Sequence, residues 1–137
     1  MEWGNSPMKS TWEILVVGVL TVSVAGVAMA ARTTSSVLAT PYMTALGTDS
    51  LGCNAVNVGT QPLSLLKVEL VNAANGVEST ATCQSPTNQS DGCSAPAVVG
   101  PVTGYCRITT SGTPQSVRGS AWLMDAGYNV KVAVPAQ

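Results

Sequence analysis

The residues Ser64–Asn72, SLLKVELVN, show the alternation that most constrains how this chain can fold. Their side chains divide into two sets, with Leu66, Val68 and Leu70 on one face and Lys67 and Glu69 on the other. A period of two residues is typical of a strand that buries one face. Asn75-Gly76 follows, and this pair favours a tight turn, so Val77–Cys83 is predicted to return beside the first strand.

Similar short segments occur throughout residues 31–137. Besides the hairpin, the predicted strands are Val37–Leu46, Leu51–Val58, Tyr105–Thr110, Val117–Leu123 and Tyr128–Val134. In the last of these, we expect Val130, Val132 and Val134 to point inward and Lys131 outward. Turn formers separate the strands, the Pro/Gly-rich stretch 95–104 is predicted to be a loop, and no helical apolar stripe competes. The sequence therefore predicts one all-β domain at 31–137, a small antiparallel two-sheet sandwich of about seven strands.

An apolar segment precedes this domain. Lys9 lies in a short polar start, the run Ile14–Val27 is apolar apart from Gly and small hydroxyl residues, and Ala28 and Ala30 fit an A-x-A cleavage pattern. Residues 1–30 are therefore predicted to be a signal peptide cut after Ala30, which makes the protein secreted or periplasmic. The alternative is an uncleaved membrane anchor, since Ile14–Ala31 approaches the length that spans a bilayer.

Four cysteines follow the apolar segment, namely Cys53, Cys83, Cys93 and Cys106. An even number in an exported chain favours disulfides. Zinc is disfavoured because the sequence has no histidine and no closely spaced cysteine pair. Three pairings are open, and the local pattern favours Cys83 with Cys93, which bracket the turn-rich run QSPTNQSDG, and Cys53 with Cys106, which lie in apolar strands.

The stretch 56–72, VNVGTQPLSLLKVELVN, resembles bacterial secreted immunoglobulin-like domains of the adhesion type, in which an N-x-G-x-x-P turn joins two strands. The resemblance covers 17 residues and departs from antibody domains, because no tryptophan occupies the strand after Cys53. It implies an exported β-sandwich module that is often repeated or attached to a scaffold and has no catalysis of its own.

Catalytic patterns are scarce in the sequence. The absence of histidine excludes a Ser-His-Asp or Cys-His nucleophile. Ser64 and Lys67 form an S-x-x-K pattern, but that chemistry needs a helix start, and an alternating strand places the two side chains on opposite faces. Asp49, Asp91 and Asp125 each lie in a turn-like context, where a carboxylate that bonds nearby backbone is the ordinary explanation. We therefore expect no enzyme, no metal and no cofactor.

Charge gives no sign of an anionic partner. The whole chain has six basic and seven acidic residues, a formal net charge of -1. A basic surface that would gather nucleic acid is therefore not predicted. The membrane is expected to be contacted only through an uncleaved N-terminal segment.

One segment is a candidate partner surface. In VRGSAWLMD, the face with Val117, Ala121 and Leu123 suits a core, which would leave Arg118, Trp122 and Met124 on the outer side. Trp, Met and Arg are residue types enriched where proteins dock. The reverse phase, in which Trp122 is a core residue, is the favoured interpretation, because large aromatic side chains are scarce in this chain.

Two functions are consistent with these features. The first is an exported, non-catalytic structural or binding module whose partner is another protein or a cell-surface component. The second is a small secreted enzyme or enzyme inhibitor that uses the stapled segment 83–106, since a constrained exposed loop can present a reactive or blocking residue.

Overall fold

The computed structural model describes residues 34–137, and all regular structure there except one 3-10 turn at Pro114–Ser116 is β-strand. The strands are β1 Ser36–Ala39, β2 Met43–Ala45, β3 Ser50–Asn57, β4 Leu66–Asn72, β5 Gly76–Thr82, β6 Gly92–Val99, β7 Val102–Thr110, β8 Val117–Met124 and β9 Val130–Pro135. The predicted signal peptide and its cleavage site after Ala30 lie outside the described residues.

The strands form two antiparallel sheets, which confirms the predicted all-β class. The five-stranded sheet has the order β1-β7-β4-β5, with β2 also paired to β7, and the four-stranded sheet has the order β6-β3-β8-β9. No helix among residues 34–137 has the length and apolar character needed to cross a membrane.

The structure has nine strands rather than about seven, and proline accounts for both differences. Pro41 interrupts the predicted first strand, so β1 and β2 pair separately with β7. The stretch expected to be a loop contains β6, which includes Pro96. Because β6 is an edge strand that pairs only with β3, it tolerates a residue without an N–H group.

The predicted hairpin is present as β4 and β5. Ala73–Asn75 form the turn, and Gly76 has φ of +82°, a conformation that glycine adopts without strain. Of the alternating residues in β4, the apolar set is fully buried. The strand therefore has the face assignment that its sequence predicts.

Buried apolar side chains from both sheets and their loops form the core: Leu38, Ala45, Leu51, Cys53, Ala55, Leu63, Leu66, Val68, Leu70, Cys83, Ala95, Val102, Cys106, Ile108, Val117 and Ala121. Two disulfides join the sheets, and they have the pairing that the local sequence pattern favours. Cys53 in β3 is bonded to Cys106 in β7 at the centre of the core, where both are fully buried. Cys83, just after β5, is bonded to Cys93 in β6 at one side of the sandwich.

Bulges occur where strands form the edges of the sheets. The register of β4 with β5, of β3 with β6 and of β8 with β9 shifts once in each pair. In all three pairs the extra residue belongs to the edge strand, at Glu78 in β5, at Pro96 or Ala97 in β6 and at Lys131 in β9. Bulges of this kind twist an edge and disrupt its hydrogen-bonding pattern.

The bulge in β9 also changes the expected orientation of its valines. The predicted inward set is wrong for Val130, which is 60% exposed and pairs with Met124 beyond the register shift. Val132 is 47% exposed, and only Val134 packs against the core. Tyr128 lies before the strand in a turn with φ of +64°.

Candidate binding face

The outward side chains of β8 define the candidate site. Val117 and Ala121 are buried and Leu123 packs against the core, so Arg118, Trp122 and Met124 point away from it. Of the two phases that the sequence left open for β8, this is the one with an outward Trp122. The favoured prediction, that Trp122 belongs to the core, is wrong, because its side chain lies on the outer face of the four-stranded sheet and is half-buried.

The inner face has no space for an indole beside β8. The side chain of Ile108, from the opposite sheet, occupies the position in front of Gly119 that a Cβ atom would need. Ala121, two residues further along, is also fully buried. Opposite Gly119, the five-stranded sheet supplies the bulky side chain of Ile108, and the tryptophan of β8 points outward.

Trp122 lies flat on the sheet over Gly52, its cross-strand neighbour in β3. Three adjacent atoms of the six-membered ring, Cε2, Cζ2 and Cη2, are at similar short distances from the position that a Cβ of residue 52 would take. Similar distances to three consecutive ring atoms place that position above the face of the ring rather than beyond its edge. Glycine at position 52 is therefore what allows the indole to rest on the backbone.

An apolar strip crosses the sheet around this tryptophan. In one row of paired residues, Trp122 lies between Gly52 and Ala133, and in the next row Met124 lies between Ser50 and Val130. Val99, which is 64% exposed, continues the second row on the other side of Ser50. We call these residues, with the adjoining polar groups described below, the outer face of the four-stranded sheet.

Polar groups flank the strip on the side towards Arg118. The Asn54 Oδ1 atom accepts hydrogen bonds from the backbone N–H of Ser120 at 3.1 Å and from its hydroxyl at 2.8 Å. A backbone N–H can only donate, which fixes Oδ1 as the atom that faces Ser120. The Asn54 amide nitrogen has no hydrogen-bond partner among residues 34–137, so its two N–H groups remain available.

Arg118 completes the polar part of this face. Its Nη1 atom donates to the backbone oxygens of Gln115 at 3.3 Å and Val117 at 3.1 Å, and the side chain is otherwise exposed. A shallow depression of about 330 Å³ lies here, lined by Asn54, Val56, Arg118, Gly119, Ser120 and Pro135. Most of its lining is apolar, and Asn54, Ser120 and Arg118 contribute hydrogen-bonding groups at the depression.

The S-x-x-K pair does not form a catalytic arrangement. Ser64 precedes β4, and its backbone oxygen accepts a hydrogen bond from the Ser85 hydroxyl. Lys67 is held in an ion pair with Glu69, with 2.7 Å between Nζ and Oε1. The lysine is therefore directed at a carboxylate on its own strand rather than at Ser64.

Glu69 is the ionised group that the sequence did not single out. It lies on the outer face of the five-stranded sheet, where Arg107 is its cross-strand neighbour in β7 and donates from Nε to Oε2 at 2.8 Å. Its side chain is only 6% exposed. The hydrogen bond from Arg107, together with that from Lys67, lowers the pKa of Glu69 and outweighs the opposing effect of burial. The arrangement keeps the carboxylate ionised and stabilises the sheet.

One of the three turn aspartates, Asp125, has the local backbone partners expected of such residues, whereas Asp49 is paired with a residue 82 positions away. Asp125 Oδ1 accepts backbone N–H bonds from Gly127 and Asn129, and the bonds from Asn129 contribute most to lowering the pKa of Asp125. Asp49 forms an ion pair with Lys131, at 2.8 Å. Asp91 is exposed in the stapled loop. Within residues 34–137, no group of three or more acidic, cysteine or histidine side chains is placed to hold a metal ion.

The segment 83–106 is not one loop, because it contains β6 and the first half of β7. Its irregular part is anchored through Asn57, a fully buried residue at the end of β3. The Asn57 amide donates to the backbone oxygens of Gln61 and Thr87, and its Oδ1 accepts from the N–H of Gly59. The N-x-G-x-x-P pattern could have signalled the bonds to Gly59 and Gln61, whereas nothing in the sequence indicates Thr87.

Comparison of this chain with protein-family models, with curated proteins and with solved structures finds no match. The outer face is therefore interpreted from its own residues and geometry.

Proposed function

We propose that this chain is an exported, non-catalytic structural or binding module that engages a partner through the outer face of the four-stranded sheet. The observation that carries the proposal is the position of Trp122, which lies flat outside the core with Arg118 and Met124 on the same face. Large amphipathic side chains in such positions are those that contribute most to binding.

The two disulfides support a location outside the cytoplasm. Both pairs of cysteines are bonded, which is compatible with an oxidising compartment such as the periplasm or the exterior of the cell. The apolar segment and the A-x-A pattern within residues 1–30 support the same assignment from the sequence. A partner outside the cytoplasm, either a protein or a component of the cell surface, fits this location.

The immunoglobulin-like resemblance remains part of the proposal. Two antiparallel sheets joined through the core by Cys53 and Cys106 are compatible with an adhesion-type domain. A common architecture does not establish a common partner, so the proposed contact rests on the residues of the outer face.

The second candidate, an enzyme or inhibitor that uses segment 83–106, has less support. Thr87, in the middle of the stapled loop, is only 2% exposed and pairs with Leu63 through two backbone hydrogen bonds. The adjoining depression, lined by Cys83, Gln84, Thr87, Asp91 and Gly92, measures about 190 Å³ and contains one carboxylate. A loop that folds back in this way does not project as an inhibitory loop would.

Retention experiments with matched variants test the proposal. The purified protein is immobilised, and extracytoplasmic protein and cell-surface material from the producing cells are passed over it. We expect the wild-type protein and Tyr42→Ala to retain the same component and Trp122→Ala to lose it, because Tyr42 is an exposed aromatic residue just before β2, which belongs to the other sheet. Equal retention by Trp122→Ala, or no retention by the wild-type protein, would contradict the proposal.

A further inference from the structure

We infer that the outer face of the four-stranded sheet binds a neutral, extended carbohydrate chain, with one sugar ring stacked on Trp122 and the next held by Asn54, Ser120 and Arg118. The inference rests on the proposed function, which it narrows to one class of partner.

The indole has the geometry of a stacking platform. One face of its six-membered ring covers the position that a Cβ atom of Gly52 would take, so the opposite face is turned away from that glycine. The face of an aromatic ring is apolar and electron-rich, and it attracts groups with a partial positive charge. A pyranose with equatorial substituents presents a flat set of C–H groups that suits such a surface.

The neighbouring polar groups match sugar hydroxyls, each of which can both donate and accept a hydrogen bond. The Asn54 amide nitrogen supplies two donors, because its oxygen is occupied by Ser120. The Ser120 hydroxyl donates to Asn54, which leaves its own lone pairs available as acceptors. Arg118 adds further donors beyond those bound to backbone oxygen.

The spacing of these groups favours a chain rather than a single sugar. Trp122, Ser120 and Arg118 are alternate residues of one strand, so consecutive members are about 7 Å apart at 3.4 Å per residue. The depression of about 330 Å³ on this face is lined by the second and third of these residues. A linear oligosaccharide along β8 would therefore contact the platform and the polar groups in succession.

Charge favours a neutral ligand over an acidic one. Arg118 is the only cationic side chain lining the depression. Lys131, in the adjacent strand, is paired with Asp49 through two contacts, at 2.8 and 2.9 Å. One available cation gives little attraction for a polyanion, whose binding depends on several.

Titration with defined oligosaccharides tests the inference. The full chain is prepared with Trp3→Phe and Trp12→Phe, which leaves Trp122 as the only one of its three tryptophans. The probes are cellohexaose and chitohexaose, two flat, β-linked chains. We expect at least one of them to change the Trp122 emission in a saturable way, since stacking alters the environment of the indole.

Two substitutions separate the platform from the polar groups. Gly52→Ala places a methyl group where the indole lies, and we expect the ring to tilt away and the affinity to fall about tenfold or more, equivalent to the loss of one good contact. Asn54→Ala removes the amide donors and should weaken binding about threefold to tenfold. Tyr42→Ala, the matched control, should bind as the wild-type protein does.

The outcomes distinguish the two proposals. If neither oligosaccharide changes the emission at concentrations up to about 10 mM, well above the 1 mM dissociation constant of a weak ligand, the carbohydrate inference is overturned. Trp122-dependent retention of a protein in the earlier experiment would then leave the proposed function standing. Unchanged affinity in both Gly52→Ala and Asn54→Ala would also overturn the inference. If Gly52→Ala lowers the melting temperature, its loss of binding could come from lost stability, and the affinity of Asn54→Ala then decides whether the carbohydrate inference stands.

Discussion

Side chains along the strands of the four-stranded sheet point alternately to its inner and its outer face. The two faces differ in what those side chains contact. Inward residues of β3 and β8, such as Leu51, Cys53 and Ala121, are fully buried whatever their size. The outward set includes Trp122 and Asn54, which retain apolar surface and unused hydrogen-bond donors. The comparison teaches that burial, rather than side-chain size, separates the residues that hold this fold together from those available to a partner.

Removal of the inner disulfide is the most severe test of this division. For Cys53→Ala combined with Cys106→Ala, we expect the free energy of unfolding to fall by about 4 kcal/mol, because the bridge closes a loop with a sequence separation of 53 residues. Against a typical total of about 5–15 kcal/mol, this loss would leave a marginal fold. Denaturant titration measures it, and a loss below about 1 kcal/mol would contradict the assigned role.

Asn57→Ala tests whether a buried polar residue at the end of β3 contributes as much to stability as the buried apolar residues do. Three hydrogen bonds are lost, and at about 1 kcal/mol each the expected destabilisation is about 3 kcal/mol. The control is Asn88→Ala, an exposed asparagine in the stapled loop, which should change stability by no more than about 0.5 kcal/mol. Similar effects of the two substitutions, measured by thermal unfolding, would contradict the anchoring role of Asn57.

The outer disulfide should matter less than the inner one. Cys83→Ser with Cys93→Ser opens a loop with a sequence separation of only 10 residues, for which we expect a loss of about 2–3 kcal/mol. The sheets should stay paired, while the loop at 84–91 becomes a site of proteolysis. Limited proteolysis with mass mapping checks this, and cleavage distributed over both sheets would show that the outer bridge also holds the core.

Glu69→Gln tests whether substitution of an outward residue always has a small effect on the free energy of unfolding. The lowered pKa of Glu69 means that its ionised form stabilises the fold above its ordinary pKa of 4.5, and that this contribution is lost as the pH falls through the lower value in the folded protein. Glu69→Gln should cost about 1–2 kcal/mol at neutral pH and flatten the acid side of the stability curve. Unfolding followed from pH 7 to pH 2 provides the comparison, and parallel curves for variant and wild type would contradict it.

Trp122→Ala should have the smallest effect on stability. The side chain is half-buried against one glycine, so we expect a loss of about 1 kcal/mol, compared with about 3–5 kcal/mol for a tryptophan removed from a core. Leu51→Ala, at a fully buried position of β3, is the contrast and should cost about 2–5 kcal/mol. Equal losses in the two variants would place Trp122 among the residues that hold the fold.

Local patterns in the sequence predict much of this fold. The β4–β5 hairpin follows from alternation and the Asn75-Gly76 pair, and the disulfide pairing follows from the turn-rich run between Cys83 and Cys93. The strand β6 could not be predicted in the same way. Pro96 is incompatible with a central strand, and only the sheet order shows that β6 is at an edge.

The candidate site was predictable only in part, for a similar reason. The alternation along β8 follows from its sequence, but the sequence favoured the wrong phase for Trp122, because which side of the strand faces the core depends on the side chains opposite. Ile108 is 11 residues from Gly119 in the chain, and the sequence does not show that it fills the space in front of that glycine. Thr87 is likewise 30 positions from Asn57, and its backbone oxygen accepts a hydrogen bond from the Asn57 side-chain amide. Such contacts are set by tertiary packing rather than by local propensity.

Neighbouring copies of this chain are hindered from joining edge to edge. The hindrance comes from the bulges in β5, β6 and β9 and from the break at Pro41. Open edges are where separate β-proteins fuse into continuous sheets, and each edge strand of the described domain carries an interruption that hinders this. Many copies can therefore be crowded on a surface while each stays an independent unit. Under the proposed function, crowding would multiply weak contacts through the outer face of the four-stranded sheet, so that a dense layer would bind far more firmly than one molecule.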